Sequence, residues 1–278
     1  MAAVPRVSVH GASISAIGLG TWQLSGAACE TAVASALASG YRHLDTASMY
    51  GNEAEVGRAL KASKVRRDDV WVTTKVWADD LAPGTLERSA ERSLRALQLD
   101  AVDLLLIHWP NPAIPLDGSI AALCNAKRRG LTRHIGVSNF PVALMRQAAK
   151  LTTEPIVTNQ VEVHPHLDQG KVLAEAKALG WSVTAYTPLG RGSVGGVLAE
   201  PVITAIAGRK MRTPAQVVLR WHLQQGRIAV PRSADPGRIA ENLRVTDFEL
   251  DQAEMAQISG LPRPGGRIVA PAFAPKWD

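Results

Sequence analysis

Short apolar runs alternate with segments of helical spacing along nearly the whole chain of 278 residues. Eight of these runs are rich in β-branched and aliphatic side chains, which favours strands. We predict strands over residues 15–20, 41–45, 71–76, 102–108, 134–138, 156–161, 182–186 and 228–231. The runs are continuously apolar rather than alternating, which is typical of parallel strands that are buried on both faces.

The segments between the strands show helical stripes and helix ends. One apolar stripe at helical spacing consists of Leu86, Ala90, Leu94 and Leu97. Thr213–Pro214 and Asp235–Pro236 each place a capping residue before a proline, so a helix is predicted to begin at both places. Gly226 is expected to end the first of these two helices.

Strand–helix alternation indicates parallel strands joined by crossover helices. Eight such units in about 250 residues favour a closed (β/α)8 TIM barrel, in the α/β class, over an open doubly wound sheet. Residues 7–11 predict a short N-terminal hairpin, and a C-terminal tail follows the last helix. Since the chain shows no linker or break in composition, we expect one domain over residues 1–278.

The composition narrows the class of protein. Hydrophobic residues make up 46% of the chain and charged residues 20%, which is a globular balance. The net charge of +6 permits an anionic partner, but the basic residues are scattered along the chain. We therefore expect no nucleic-acid partner, whereas a cofactor that carries phosphate would fit.

Several other classes of protein and site are not expected. No run approaches 18 apolar residues, and the N-terminus lacks a basic segment followed by an apolar one, so we expect a cytoplasmic protein without a membrane partner. Cys29 and Cys124 fall in predicted helices and are interpreted as buried small hydrophobes. His164 and His166 have no third ligand near them in the sequence, so no metal site is predicted.

Polar side chains follow seven of the eight strands, at the end where barrel enzymes place their active sites. They are Asp45, Lys75, His108, Ser138–Asn139, Asn159–Gln160, Tyr186 and Arg232–Ser233. The first three come from adjacent strands, and Tyr50 lies in the loop that follows Asp45. We therefore expect these four side chains to meet at one mouth of the barrel.

These four side chains suit the reduction of a carbonyl group. A free tyrosine has a pKa near ~10, which is too high for an efficient acid at neutral pH. The Lys75 ammonium is expected to lower the pKa of Tyr50, with Asp45 holding Lys75 charged and oriented. His108 is expected to donate a hydrogen bond to the substrate oxygen.

Three segments resemble the signatures of the aldo-keto reductase family. They are residues 40–53, residues 136–140, and residues 230–233 together with Arg238 and Glu241–Asn242. The resemblance covers nearly the whole chain and is greatest to the bacterial branch of 2,5-diketo-gluconate and methylglyoxal reductases. It implies an NADPH-dependent enzyme that reduces small aldehydes and ketones, with Tyr50 as proton donor.

The resemblance also implies where NADPH binds. Ser138, Asn139 and Gln160 would contact the nicotinamide carboxamide, and Tyr186 would stack on the ring. The other implied cofactor positions are Thr21, Thr187, Pro188, Leu189, Gly190, Ala215, Arg232, Ser233, Arg238, Glu241 and Asn242. Two guanidiniums and a hydroxyl would surround the 2′-phosphate and favour NADPH over NADH, although the family most often has Lys at the position of Arg232.

Two features near the cofactor carry two interpretations each. Asp235 is either the N-cap of the last barrel helix, the interpretation that we prefer, or a charge that weakens phosphate binding. The glycine-rich run 190–196 is either a plain surface loop or the segment that closes over the pyrophosphate in this family, and the two are compatible.

The substrate pocket is predicted to be aromatic. Trp22, Trp77 and Trp109 follow strand ends, and the resemblance adds Phe273 and Trp277 from the tail. The loop over 111–116 and the tail are short, which by resemblance favours small substrates such as dicarbonyls and keto-sugars. The family also implies a monomer.

Two alternatives remain beside the reductase. A non-catalytic NADPH-binding sensor or partner subunit would use the same barrel, but its sequence would show a damaged set of four catalytic residues or long docking insertions. A different barrel enzyme, such as an isomerase or hydrolase, would need a carboxylate pair or metal ligands at the mouth.

Overall fold

Eight parallel strands form one continuous sheet in the computed structural model, which describes residues 4–192 and 196–278. An antiparallel hairpin of Arg6–Val9 (β1) and Ala12–Ser15 (β2) precedes them. The sheet strands are Leu19–Gly20 (β3), His43–Asp45 (β4), Trp71–Val76 (β5), Val102–Ile107 (β6), Thr132–Ser138 (β7), Ile156–Glu162 (β8), Ser182–Tyr186 (β9) and Ile228–Ala229 (β10).

Helices surround the sheet, and the two helices whose starts were predicted have side-chain caps. They are Gly26–Ser39 (α1), Glu53–Ala62 (α2), Thr85–Leu97 (α3), Leu116–Arg128 (α4), Val142–Leu151 (α5), Gly170–Ala178 (α6), Pro201–Lys210 (α7), Pro214–Gln224 (α8), Pro236–Leu243 (α9) and Gln252–Ser259 (α10). The Thr213 hydroxyl accepts the Gln216 N–H at the start of α8, and Asp235 accepts the Arg238 N–H at the start of α9. The predicted starts of both helices are confirmed, and so is the preferred interpretation of Asp235 as an N-cap.

The sheet closes on itself to form the predicted (β/α)8 barrel. Strands β3 to β10 lie side by side in chain order. The first and last strands then meet, because Gly18 N donates to Ala229 O at 2.9 Å and Gly20 N donates to Pro231 O at 3.0 Å. A Cβ at Gly20 would lie 2.7 Å from the Val230 oxygen, so only glycine allows the two backbones to approach this closely.

The N-terminal hairpin packs on the end of the barrel opposite the strand-end residues. Ala12 and Ile14 belong to the same buried cluster as Trp71 and Leu104 from inside the barrel. The hairpin therefore covers apolar side chains that would otherwise face water.

The prediction of one strand over residues 15–20 is wrong. Ser15 ends the hairpin, Ile17 makes an isolated bridge to Ala229, and only Leu19–Gly20 pair with β4. The apolar run is continuous because it is buried along its whole length, although it passes from the hairpin to the barrel at its middle.

The remaining core contains three tryptophans, and both cysteines lie in it as predicted. Trp71, Trp181 and Trp221 are buried, and Cys29 and Cys124 are free, buried thiols. None of the described helices is long and apolar enough to cross a membrane.

Candidate active site

Four side chains that the sequence singled out meet at the carboxyl end of the barrel. Asp45 is the last residue of β4, Lys75 lies in β5, and His108 directly follows β6. A short helical turn of three residues brings Tyr50 back over the strand ends. Because neighbouring parallel strands end side by side, three separate segments of the chain place these groups within hydrogen-bonding or ring-contact distance.

Lys75 is the centre of this cluster. Its side chain is fully buried, and its Nζ donates to Asp45 Oδ1 at 2.6 Å, to the Thr46 carbonyl at 2.8 Å and to Tyr50 OH at 3.3 Å. An ammonium has three N–H donors, so these contacts use all of them and fix the group in position.

Burial and charge act in opposite directions on the pKa values of this cluster. Burial lowers the pKa of Lys75, but Asp45 and Tyr50 outweigh it, so that this pKa lies above its ordinary value. Burial raises the pKa of Tyr50, and Lys75, which lowers it, offsets only part of the rise. The prediction of a lowered tyrosine pKa is therefore wrong in its net direction, although Lys75 acts as expected. Tyr50 stays protonated at neutral pH.

His108 stands beside the tyrosine as a neutral group. Burial, with a smaller contribution from the Lys75 charge, lowers the pKa of His108 well below its ordinary value. Its ring meets Tyr50 edge-on with centroids 5.6 Å apart, and it meets Trp77 in the same way at 5.2 Å. A neutral imidazole can donate a hydrogen bond without competing with Tyr50 as a source of the proton.

A second set of hydrogen-bonded side chains lies across the barrel mouth from Lys75. Gln160 Nε2 donates to Asp45 Oδ2 at 2.7 Å, so Asp45 binds Lys75 with one oxygen and Gln160 with the other. Tyr186 OH donates to Asn139 Oδ1 at 2.8 Å, and Asn139 Nδ2 donates to the His108 carbonyl at 2.9 Å. The residues predicted to hold the nicotinamide are thus hydrogen-bonded to the cluster around Lys75.

A cavity of about 1300 Å³ opens above these groups and extends to the N-terminus of α9. The predicted catalytic and cofactor residues that line it are Thr21, Asp45, Tyr50, His108, Ser138, Asn139, Gln160, Tyr186, Thr187, Pro188, Leu189, Ala215, Arg232, Ser233, Arg238, Glu241 and Asn242. Lys75 lies beneath the surface of the cavity, and Gly190 is not among the described residues that line it.

Comparison with known proteins decides the family. The Aldo/keto reductase family profile matches residues 16–262. The chain belongs to the aldo/keto reductase family. Methylglyoxal reductase DkgB of Yersinia pestis is 43% identical over 270 residues, which cover 96% of this chain and all of that protein. An aldo-keto reductase of a Mycobacterium species is 44% identical over 263 residues, covering 94% of this chain and 92% of the relative.

Solved structures of the family share the fold, and one of them contains NADP. A protein assigned as a 2,5-diketo-D-gluconic acid reductase B has a TM-score of 0.94 and 46% identity, with 99% of this chain and 98% of that chain covered. A Bombyx mori aldo-keto reductase in complex with NADP has a TM-score of 0.90 and 31% identity, with 98% and 96% covered. The protein is an NADP-dependent oxidoreductase of the kind that reduces carbonyl groups.

The far end of the cavity fits the phosphate-bearing half of NADPH. Arg232, Ser233 and Arg238 line it, which gives two guanidiniums and one hydroxyl at one place. That donor set suits a dianionic phosphate, and the start of α9 adds the positive end of a helix dipole. Asp235, which lines the same end, uses its Oδ1 to accept the Arg238 N–H at 2.8 Å.

Two residues that line the cavity were not predicted individually as cofactor contacts, although Arg191 lies in the glycine-rich run 190–196. Arg191 lines the cavity and Gln23 approaches the guanidinium of Arg232, with Oε1 3.4 Å from NH1. Arg191 and Gln23 have φ angles of 59° and 61°, respectively, so the backbone of each is in the left-handed region. Neither carries a motif, although the glycines around Arg191 indicated an irregular loop.

The end of the cavity beside Tyr50 and His108, where the sequence predicts the substrate, is mostly aromatic. Trp22, Trp77, Trp109 and Phe273 line it, whereas Trp277 is not among the described lining residues. The Arg267 guanidinium lies over the Trp277 ring at 3.8 Å. Met49 and residues 268–271 also line the cavity and were missed, because nothing in their local pattern indicates a pocket.

Two other features of the sequence have a place in the structure. His164 Nε2 lies 2.9 Å from Glu162 Oε1, and in the described residues no cluster of three or more His, Cys, Asp or Glu side chains is suited to hold a metal. The glycine-rich run 190–196 lies partly outside the described residues, which omit 193–195.

Proposed function

We propose that this protein reduces small aldehydes and ketones with NADPH, and that Tyr50 delivers the proton. The observation that carries the proposal is the contact between Tyr50 OH and Lys75 Nζ at 3.3 Å, in the wall of a cavity that ends at Arg232 and Arg238. A proton donor and a phosphate-binding end therefore belong to one continuous cleft.

Each member of the catalytic cluster has a separate part in this proposal. Tyr50 gives its proton to the carbonyl oxygen, and Lys75 stabilises the phenolate that remains. Asp45 balances the charge of Lys75 and fixes its position through the 2.6 Å contact. His108 donates a hydrogen bond that orients the carbonyl. When NADPH is bound, it supplies the hydride that the carbonyl carbon accepts.

The cofactor residues are proposed to divide the length of NADPH among them. Ser138, Asn139 and Gln160 hold the nicotinamide carboxamide, with Tyr186 against the ring. The remaining contacts are assigned to Thr21, Thr187, Pro188, Leu189, Gly190, Ala215, Glu241 and Asn242. Arg232, Ser233 and Arg238 select NADPH over NADH by binding the 2′-phosphate.

The substrates are proposed to be small dicarbonyls and keto-sugars. Trp22, Trp77, Trp109 and Phe273, which line the cavity, are assigned to the substrate side. The relatives named for methylglyoxal and 2,5-diketo-D-gluconic acid support this choice. We also propose that residues 1–278 act as one catalytic domain, monomeric and cytoplasmic.

NADPH oxidation measured against a panel of carbonyls tests this proposal. The panel should contain methylglyoxal, a keto-sugar acid and an uncharged aliphatic aldehyde, each with NADPH and with NADH. Saturable NADPH oxidation with at least one of them is expected. NADPH binding without oxidation of any carbonyl would contradict the proposal and favour a sensor or partner subunit.

A further inference from the structure

A strap at the C-terminus, residues 261–278, forms one wall of the substrate end. Residues 268–271 and Phe273 line the cavity. The Phe273 ring makes edge-on contacts with Trp77 and with Trp109, with centroids 5.6 Å apart in both cases. The position of the strap therefore determines the shape of the pocket that a carbonyl substrate enters.

The strap has little internal structure to hold it in place. Residues 261–278, all of which are described, form turns and extended chain but neither a helix nor a strand. A segment of this kind has no backbone hydrogen bonds of a helix or strand to hold it. It therefore keeps one position only if specific contacts attach it to the barrel.

Glu162 makes such a contact. It is the last residue of β8 and is completely buried. Its Oε1 accepts the Ile268 N–H at 2.7 Å, and its Oε2 accepts the Val269 N–H at 2.8 Å. His164 Nε2 lies 2.9 Å from the same Oε1. One carboxylate thus binds two successive main-chain N–H groups of the strap, both in residues that line the cavity.

The hydrogen-bond donors around Glu162 suit a carboxylate. Two adjacent N–H donors and an imidazole N–H need acceptor atoms on both oxygens, which a carboxylate provides and a carboxamide does not. In Glu162→Gln the new NH2 group would face one of the two N–H donors, so at least one bond would be lost.

A second contact fixes the strap a few residues earlier. Arg263 N donates to the His166 carbonyl at 3.2 Å, and the chain passes over that carbonyl at Gly266. A Cβ at Gly266 would overlap the His166 oxygen, which is main chain and cannot give way easily. A Gly266→Ala substitution would therefore push the strap away from the barrel without changing any charge.

We propose that Glu162 is a positioning residue that holds the C-terminal strap against the barrel and so sets the affinity of the pocket for carbonyl substrates. The inference rests on the proposed function, because it concerns the substrate side of the same cavity. Glu162 acts through the strap and its Phe273 side chain, while proton transfer stays with Tyr50.

Two strap variants and two controls test the proposal. Glu162→Gln removes part of the anchor, and Gly266→Ala displaces the strap sterically. Glu87→Gln is the matched control, because Glu87 is also buried and accepts a main-chain N–H, from Gly84 at 2.7 Å, but does not line the cavity. Lys276→Ala changes an exposed residue within the strap itself.

Hydrogen–deuterium exchange and steady-state kinetics are then measured on all five proteins. In both strap variants we expect faster exchange in peptides that cover residues 264–275. We also expect a KM for the carbonyl that is roughly tenfold higher, as for the loss of one charge-assisted hydrogen bond, with kcat changed by less than about twofold. NADPH affinity should be unchanged in the variants, and both controls should match the wild type in KM.

Each result decides a separate part of the proposal. Unchanged exchange at residues 264–275 in Glu162→Gln would show that Glu162 does not hold the strap. Faster exchange with an unchanged KM would show that the strap does not set substrate affinity. If the wild type reduces no carbonyl at all, the proposed function fails and the affinity claim with it, whereas the exchange data still decide the role of Glu162.

Discussion

Removal of the Lys75 ammonium should affect stability and catalysis in ways that can be separated. In Lys75→Met, the Asp45 carboxylate loses its partner at 2.6 Å while remaining almost fully buried. Breaking a buried ion pair from one side costs about 3–5 kcal/mol, because the remaining charge is uncompensated. At roughly 2–4 °C per kcal/mol for a protein of about this size, the melting temperature should fall by roughly 6–20 °C.

The double variant Lys75→Met with Asp45→Asn supplies the decisive comparison. Asparagine removes the unpaired charge but keeps an oxygen that can accept from Gln160 Nε2, which donates to Asp45 at 2.7 Å. Most of the lost stability should therefore return. The turnover number should stay low by about 10²–10⁴-fold in both variants, because nothing stabilises the phenolate of Tyr50.

Differential scanning calorimetry and NADPH oxidation at saturating carbonyl measure the two effects on the same samples. If Lys75→Met melts at the wild-type temperature, the buried ion pair contributes less to the stability of the protein than its geometry implies. If the double variant regains turnover together with stability, Lys75 has only a structural role.

Three further predictions concern protonation, coenzyme choice and the cap of α9. Because burial raises the pKa of Tyr50 and lowers that of His108 well below 6.5, kcat/KM for the carbonyl should stay level from about pH 6.5 to pH 10 and fall only outside that range. A profile of kcat/KM against pH with an alkaline limb near about pH 8 would contradict this. Arg232→Gln should raise the KM for NADPH and leave the KM for NADH nearly unchanged, because only NADPH carries the 2′-phosphate. The rise should be roughly tenfold and no larger, because the guanidinium is exposed and its charge is partly screened by solvent. An equal rise in KM for both coenzymes would be incompatible with a 2′-phosphate contact. Asp235→Ala should lower the free energy of unfolding, measured by urea denaturation, by about 0.5–2 kcal/mol, because the N-cap of α9 is lost. Unchanged stability together with tighter NADPH binding would instead support the interpretation of Asp235 as a charge that weakens phosphate binding.

Features that depend on local pattern could be predicted from the sequence. The strands β5, β6 and β9 agree with the apolar runs to within a residue, because β5 and β6 are buried over their full length and β9 is buried at every position except its last. The caps at Thr213 and Asp235 follow from side-chain chemistry over three or four residues. The strand-end cluster also followed, because parallel strands bring their carboxyl ends together whatever the loops between them do.

Features that depend on distant parts of the chain could not be predicted. The bond from Gln160 to Asp45 joins residues 115 positions apart, and the anchor from Glu162 to the strap joins residues more than 100 apart. The net direction of the Tyr50 pKa shift was missed because it depends on how deeply the phenol is buried, which a neighbouring charge in the sequence does not show.

The central claim, that Tyr50 delivers the proton, is tested most directly by Tyr50→Phe. The substitution keeps the ring that lies 4.9 Å from Trp22 and removes only the hydroxyl that Lys75 contacts. NADPH binding, followed by the fluorescence of the bound coenzyme, should match the wild type, while the turnover number falls by about 10²–10⁴-fold. Turnover within a few-fold of the wild type, with binding intact, would contradict the account.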